Sequence, residues 1–221
     1  MHTDAIQDYL KAIYDLEGEA GRATTSAMAQ RLGVTPASAT GMLKKLAARQ
    51  LVEHQPHRGA VLTDEGRRAA LLVIRHHRLL ELYLAERLGV PLEQVHTEAD
   101  RLEHALSPAL AERLDALLGR PAVDPHGAPI PSANGEIAAR EQMPLGDLAP
   151  GERAVVVEVR DHDPDLVRHL AALGLLPGAV VTAVERAPFA GPLTVRAGGV
   201  DHAVGETVAT SVFVRREEVE A

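Results

Sequence analysis

The stretch from His76 to His104, HHRLLELYLAERLGVPLEQVHTEADRLEH, constrains this chain more than any other part of it. Within it His77 and Glu81 stand four residues apart, while His96, Asp100 and His104 repeat at four with Glu103 beside them. On a helix of about 3.6 residues per turn, His96, Asp100, Glu103 and His104 fall within an arc of about 100° on one face. Leu102 and Leu106 flank that face, and Leu79, Leu80, Leu82 and Leu84 line the preceding segment, so part of each helix is expected to be buried. Carboxylates and imidazoles at the margin of a buried face need compensation, and a divalent cation supplies it to all of them at once. The bland alternative, solvated helix charges in i,i+4 pairs, accounts for one such pair and poorly for two interlocking sets.

An ion held there must be held by oxygen and imidazole nitrogen, because the 221 residues include no cysteine. That also excludes disulfides and thiolate sites. The chain is long enough for two small domains, with cores built from Leu, Val and Ala given an aromatic content of 2%. No apolar run approaches the roughly 18 residues of a membrane span, and no signal-peptide pattern is present. A cytoplasmic protein with no membrane partner is therefore expected. The net charge of −8 argues by itself against nucleic acid, yet from Arg22 to Arg78 ten Lys/Arg face only Glu53, Asp64 and Glu65. That segment carries +7 and the remainder −15, so a basic, phosphate-binding surface sits inside an acidic protein.

Ahead of the metal-ligating stretch, Ile6, Tyr9, Leu10, Ile13, Tyr14 and Leu16 recur at helical spacing and stop at Gly18 and Gly21, which predicts an amphipathic helix carrying Asp8. The text TTSAMAQRLGVTPASATGMLKKLAARQLVE then predicts a helix-turn-helix: a capped short helix from Ala27 to Leu32, a break at Gly33, and a second helix capped by Thr35 with Pro36 at its first position. Thr35, Ala37, Ser38 and Thr40 at its front are candidates to approach DNA, and Lys44, Lys45 and Arg49 to hold phosphates. An αα-hairpin in a plain helical bundle is the alternative, and the local charge favours DNA. Two apolar runs, Leu51-Val52 and Ala60-Val61-Leu62, flank His54 to Gly59 and predict a β-hairpin with His57 and Arg58 at its tip, the wing of a winged helix. Thr63 caps the long helix that follows.

After Leu118 the text GRPAVDPHGAPIPSANGE, rich in proline and glycine, reads as a linker or an extended wrapping segment. Beyond Met143 short β-rich runs (154–159, 180–186, 193–197, 211–215) separated by turn residues predict a small barrel, with a short helix at Leu166 to Leu173. Its acidic loop Asp161-His162-Asp163-Pro164-Asp165 either reaches a metal or caps the helix after it.

These parts, in this order, resemble the diphtheria toxin repressor family of metal-dependent transcriptional regulators over nearly the full length. The resemblance rests on DYLKAIYDLE, VTPASAT, RGAVLTDEG, HHRLLE, VHTEADRLEH and DPHGAPIP. It implies an α+β protein with a winged helix-turn-helix domain (1–74), a helical dimerisation and metal-binding domain (75–124), a Pro/Gly-rich linker (125–143) and an SH3-like β-barrel domain (144–221). It further implies a primary site of Asp8, Asp100, Glu103 and His104, and an ancillary site of His77, Glu81 and His96 with help from Asp163 or Asp165. Iron-sensing relatives have methionine at the place of Asp8 and cysteine at that of Asp100. Carboxylate in both places suits Mn²⁺ as cofactor, with Fe²⁺ the alternative. Manganese-specific relatives often place glutamate where Lys11 stands, so two separated single-ion sites are expected rather than a close pair. The function implied is a homodimeric, Mn²⁺-dependent repressor of metal-homeostasis genes acting on a palindromic DNA operator. Two other readings stand beside it. Asp100-Arg101-Leu102-Glu103-His104 is one residue from the H-x-x-E-H motif of zinc hydrolases, and the polar helix face could instead be the dimer interface of a metal-independent DNA-binding protein.

Overall fold

Three helices at the front of the chain close around one core because each carries its apolar residues on a single stripe. In the computed structural model, which describes residues 3–55, 58–160, 162–189 and 191–217, helix α1 (Asp4–Ala20) buries Ile6, Tyr9, Leu10, Ala12, Ile13 and Leu16. Gly21 ends it in the left-handed conformation and returns its N–H to the Glu17 carbonyl. Helix α2 (Thr25–Arg31) starts from Thr24, whose hydroxyl oxygen accepts the Ala27 N–H. Helix α3 (Pro36–Ala48) starts from Thr35, whose hydroxyl oxygen accepts the Ser38 N–H at 3.2 Å, with Pro36 in the first turn. Ala39, Leu43 and Leu46 form its buried stripe.

Strands β1 (Val52–Gln55) and β2 (Gly59–Leu62) pair antiparallel in the register Val52↔Leu62 to Gln55↔Gly59. This is the expected wing. Thr63 then starts helix α4 (Asp64–Leu88), accepting the Gly66 N–H at 3.1 Å and donating to the Gln50 carbonyl at 2.7 Å. The second contact brings the two backbones so close that a Cβ at Gly66 would lie 1.9 Å from the Leu51 carbonyl oxygen. Gly66→Ala is therefore expected to lower stability by about 1–3 kcal/mol in urea unfolding. Gly41→Ala on the outer face of α3, where an added Cβ meets nothing within 4 Å, should be neutral or slightly stabilising.

The chain forms two compact units, each assembled from three stretches: Met1–His77 with Arg101–Arg113 and Ile130–Ile137, and Arg78–Asp100 with Leu114–Pro129 and Ala138–Ala221. The first contains the core running from Ile6 to Ala70. In the second, strands β3 (Met143–Pro144), β4 (Arg153–Val159), β5 (Val180–Arg186), β6 (Leu193–Ala197), β7 (Val200–Val204) and β8 (Val212–Arg216) form an antiparallel sheet in the order β3-β8-β4-β5-β6-β7. Alternating residues such as Ala154, Val156, Val181, Ala183, Val195, Val212 and Val214 meet Leu145, Leu170 and Leu175 in its core. Register shifts between Val156 and Glu158 and between Ala183 and Glu185 sharpen its curl. Helix α7 (Pro164–Ala172) lies where a short helix was expected. Strand β7 and helix α8 (Glu206–Ser211) were not expected.

Two sequence expectations change. Helix α5 (Leu92–Leu102) does not continue to His104; Glu103–Ala105 tighten into a 3₁₀ turn before helix α6 (Pro108–Leu117). Pro108 disfavours helical geometry at Ser107, so the chain has to leave the helix before it. The start of the expected linker is also no mere spacer. Asp124 accepts the backbone N–H groups of His126 and Ala128 at 2.9 and 3.0 Å, a bridge joins Val123 to Pro129, and Asp124, His126 and Ala128 are buried.

Candidate metal centres and DNA-reading face

Within the first unit, Asp8 on α1 meets Glu103 and His104 on the 3₁₀ turn, each offering one ligand atom within 4.8 Å of the others. His104 Nε2 is 2.8 Å from Asp8 Oδ1 and 3.8 Å from Glu103 Oε1, while its Nδ1 donates to Gln7 Oε1 at 2.6 Å. That second hydrogen bond leaves Nε2 as the nitrogen aimed at the carboxylates. The carboxylates differ sharply in environment: the Asp8 side chain is 45% exposed and that of Glu103 1%. Burial lifts the Asp8 carboxyl above the ordinary carboxylate range, against the lowering influence of His104. Burial also acts to raise Glu103, but the hydrogen bond from His77 and the charge of Lys11 outweigh it and hold Glu103 below that range. His77, expected in the ancillary set, lies in this unit with Nδ1 2.5 Å from Glu103 Oε2.

Within the second unit, Glu81 on α4 meets Asp124 and His126, three buried side chains with ligand atoms within 4.8 Å of one another. His126 Nε2 donates to the Leu92 carbonyl at 3.2 Å, which fixes Nδ1 as the basic nitrogen, 3.9 Å from Glu81 Oε1. His96 Nδ1 stands 3.1 Å from the same oxygen, and Arg78 Nε 3.4 Å from Asp124 Oδ2. Asp100, expected beside Glu103, belongs to this unit, with its Oδ2 3.6 Å from His96 Nε2 and its side chain 48% exposed. Asp163 and Asp165 do not join a described ligand group. Asp163 caps α7, accepting the N–H groups of Asp165 and Leu166, and Asp165 pairs with Arg168 at 2.7 Å. Asp161 lies outside the described residues.

Both sets consist of carboxylate oxygen and imidazole nitrogen, a donor chemistry that fits Mn²⁺ or Fe²⁺. Sequence reading missed Asp124 and His126. The signal was present as Asp-Pro-His-Gly, an acid and an imidazole two residues apart, but its proline-rich surroundings read as a linker or an extended wrapping segment.

Of the candidate DNA-binding residues, Thr35, Ala37, Ser38, Lys44, Lys45 and Arg49 are exposed on or beside α3, opposite its buried stripe. Thr40 is half-buried and donates to the Pro36 carbonyl at 2.8 Å. Arg58 is exposed at the wing; His57 lies outside the described residues. A Cβ at Gly41 would meet open space, so this glycine does not serve internal packing, whereas Ala39 lies in the core.

Three family models match the chain: the N-terminal DNA-binding domain of iron dependent repressors over residues 1–60, their metal binding and dimerisation domain over 63–132, and the FeoA domain over 143–216. The iron-dependent repressor IdeR of Mycobacterium leprae is 31% identical over 96% of this chain and 97% of its own length. The chain belongs to the iron-dependent repressor family, that of the diphtheria toxin repressor. The regulator MntR of Oceanobacillus iheyensis, 36% identical over 53% of this chain and 80% of its own length, is another relative in the family. Among solved structures, a manganese-dependent transcriptional repressor in complex with manganese superposes with a TM-score of 0.90 at 36% identity, over 96% of this chain and 100% of that one. As a member of this family the chain is a metal-dependent, DNA-binding transcriptional repressor of α+β architecture, with an SH3-like C-terminal domain, and not an enzyme. The resemblance to a zinc hydrolase motif has a local explanation: Asp100 to Leu102 end a helix and Glu103-His104 begin a 3₁₀ turn, so the five residues do not share one helical face. No described helix is long and apolar enough to cross a membrane.

Proposed function

We propose that the chain is a homodimeric repressor that grips a palindromic operator when Mn²⁺ fills its ion centres. The observation that carries this reading is the convergence of Asp8, from the first helix, on Glu103 and His104, from a turn some 95 residues later. A bound divalent ion supplies the positive centre that lets these groups stay together as carboxylates and a neutral imidazole. Asp8 then holds α1 to the turn. Because α1, α2, α3 and the wing share one core, fixing α1 restricts the pose of the DNA-reading helix, and one conformation gains population over others. Asp100 and His77 are further candidate ligands, and Glu81, His96, Asp124 and His126 make up the second set.

Manganese is preferred because every candidate ligand is a carboxylate oxygen or an imidazole nitrogen, with no sulfur at Asp8 or Asp100. The manganese-bound neighbour, which aligns with 96% of this chain, supports the same choice. The iron reading draws on IdeR. Leu88, Leu102, Leu110 and Leu117, all exposed and all inside the segment matched by the dimerisation model, support a dimer. A twofold dimer reads half-sites about one helical turn, roughly 34 Å, or a multiple apart.

The test is selection of genomic DNA fragments by the purified chain, run in parallel with Mn²⁺, with Fe²⁺ under anaerobic conditions, and with chelator. Palindromic fragments held with Mn²⁺ and released by chelator are expected. Tighter retention with Fe²⁺ would transfer the assignment to iron, and equal retention in all arms would end the ion-gated reading.

A further inference from the structure

Three residues after Asp8 on the same helix, Lys11 turns its ammonium into the protein. Nζ lies 2.9 Å from Glu103 Oε2 and 3.0 Å from His77 Nδ1, and those two atoms are 2.5 Å apart. An ammonium has only donors to offer and a carboxylate oxygen only accepts, so Glu103 Oε2 accepts from both the Lys11 ammonium and the His77 Nδ1–H. One oxygen of Glu103 thus already carries a fixed positive charge at hydrogen-bond distance, with the His77 N–H beside it. The environment is closed: the Lys11 side chain is 16% exposed, that of His77 5% and that of Glu103 1%.

The arrangement divides Glu103 between two cations. Oε2 is committed to Lys11 and His77, and Oε1 is the oxygen left on the side of His104, 3.8 Å from its Nε2. Two consequences follow. With no ion bound, α1 already has a charged tether to the 3₁₀ turn. With an ion bound at Asp8, Glu103 and His104, a fixed positive charge shares one of its ligands, drains electron density from that carboxylate and repels the ion.

We infer that Lys11 is a tethered cation that holds α1 onto the Glu103–His77 pair in the ion-free chain and raises the ion concentration at which the Asp8–Glu103–His104 centre fills. Lys11 thereby sets the threshold of the sensor. The inference rests on the reading that this centre takes a divalent ion, and it adds a specificity-determining residue to that reading. A merely structural salt bridge predicts the opposite sign for the ion: loosening α1 would weaken ion binding.

The test uses the full chain and Lys11→Met, which keeps the apolar stem, with Lys11→Arg as the charge-preserving control. Mn²⁺ titration calorimetry reads affinity, and the binding step that His104→Ala removes identifies this centre. Amide hydrogen exchange of Tyr9 to Ile13 in ion-free protein reads the tether. Lys11→Met should exchange faster in α1 yet bind Mn²⁺ about tenfold or more tightly at this step, from the removed charge alone. Lys11→Arg should stay near wild type in both. Faster exchange with unchanged or weaker Mn²⁺ binding in Lys11→Met overturns the inference and leaves the ion centre standing. A wild-type chain with no Mn²⁺ step sensitive to His104→Ala overturns the ion centre, and the inference with it.

Discussion

His104→Ala is expected to abolish ion-dependent operator binding while the protein stays folded. The imidazole is the only nitrogen in the Asp8–Glu103–His104 set, and its Nε2 lies 2.8 Å from Asp8 Oδ1. Removing it takes away a ligand and the direct link between α1 and the 3₁₀ turn. Loss of groups that merely orient a ligand lowers metal affinity by about 10–100-fold, so loss of the ligand itself should cost about 100-fold or more at this centre. The side chain is 17% exposed and belongs to neither apolar core, so the cost to ion-free stability should stay near 1 kcal/mol. Asp8→Ala should reproduce the phenotype from the other side of the contact. Combining the two should add little, because either alone breaks the same link. Fluorescence anisotropy on a selected operator, with Mn²⁺ and with chelator, checks this beside circular dichroism. A variant that keeps its Mn²⁺ response within about threefold of wild type, a difference under 1 kcal/mol, would remove His104 from the centre.

What the sequence made legible was local chemistry. Thr24, Thr35 and Thr63 each start a helix where a hydroxyl was expected to cap one, Pro36 sits in the first turn of α3, and the wing closes between the two short apolar runs that predicted it. Candidate ligands could be named because imidazole and carboxylate at helical spacing have few other reasons to coincide. Their grouping was less legible. An arc drawn at 100° per residue assumes a continuous helix, and the chain tightens at Glu103 because Pro108 follows. Glu103 therefore ends up buried against Lys11 and His77, with His104 turned to Asp8.

Asp124 and His126 escaped for a different reason. Their partner, Glu81, lies more than 40 residues earlier, and nothing local distinguishes an ordered proline-rich wrap from a spacer. Strand β7 escaped because its residues face solvent more than core, so Val200 to Ala203 lack the alternation that marks a strand. Asp163 was readable both as a ligand and as a cap, and the capping hydrogen bonds are those observed.

Glu81→Gln separates an ion centre from an ordinary buried salt network by the sign of its effect. Glu81 is fully buried with Asp124 and His126, so two carboxylates share a site, with Arg78 Nε 3.4 Å from Asp124 Oδ2. Crowded carboxylates of this kind cost stability until a cation joins them. For a chain of this size, Mn²⁺ at 100 times its dissociation constant adds about 2.7 kcal/mol of linked stability, which at about 2–4 °C per kcal/mol raises the melting temperature by roughly 5–10 °C. In a His104→Ala background, where only the second set responds, chelator should reverse that rise. Glu81→Gln keeps the shape, removes one buried charge and should abolish the rise, while the ion-free variant melts at or above the ion-free parent. If Glu81 instead only pairs with His96, at 3.1 Å, the substitution breaks a buried ion pair and costs about 3–5 kcal/mol whether or not Mn²⁺ is present. Differential scanning calorimetry of parent and variant, each with Mn²⁺ and with chelator, tells the two apart: an equal loss in both conditions rejects the second ion centre.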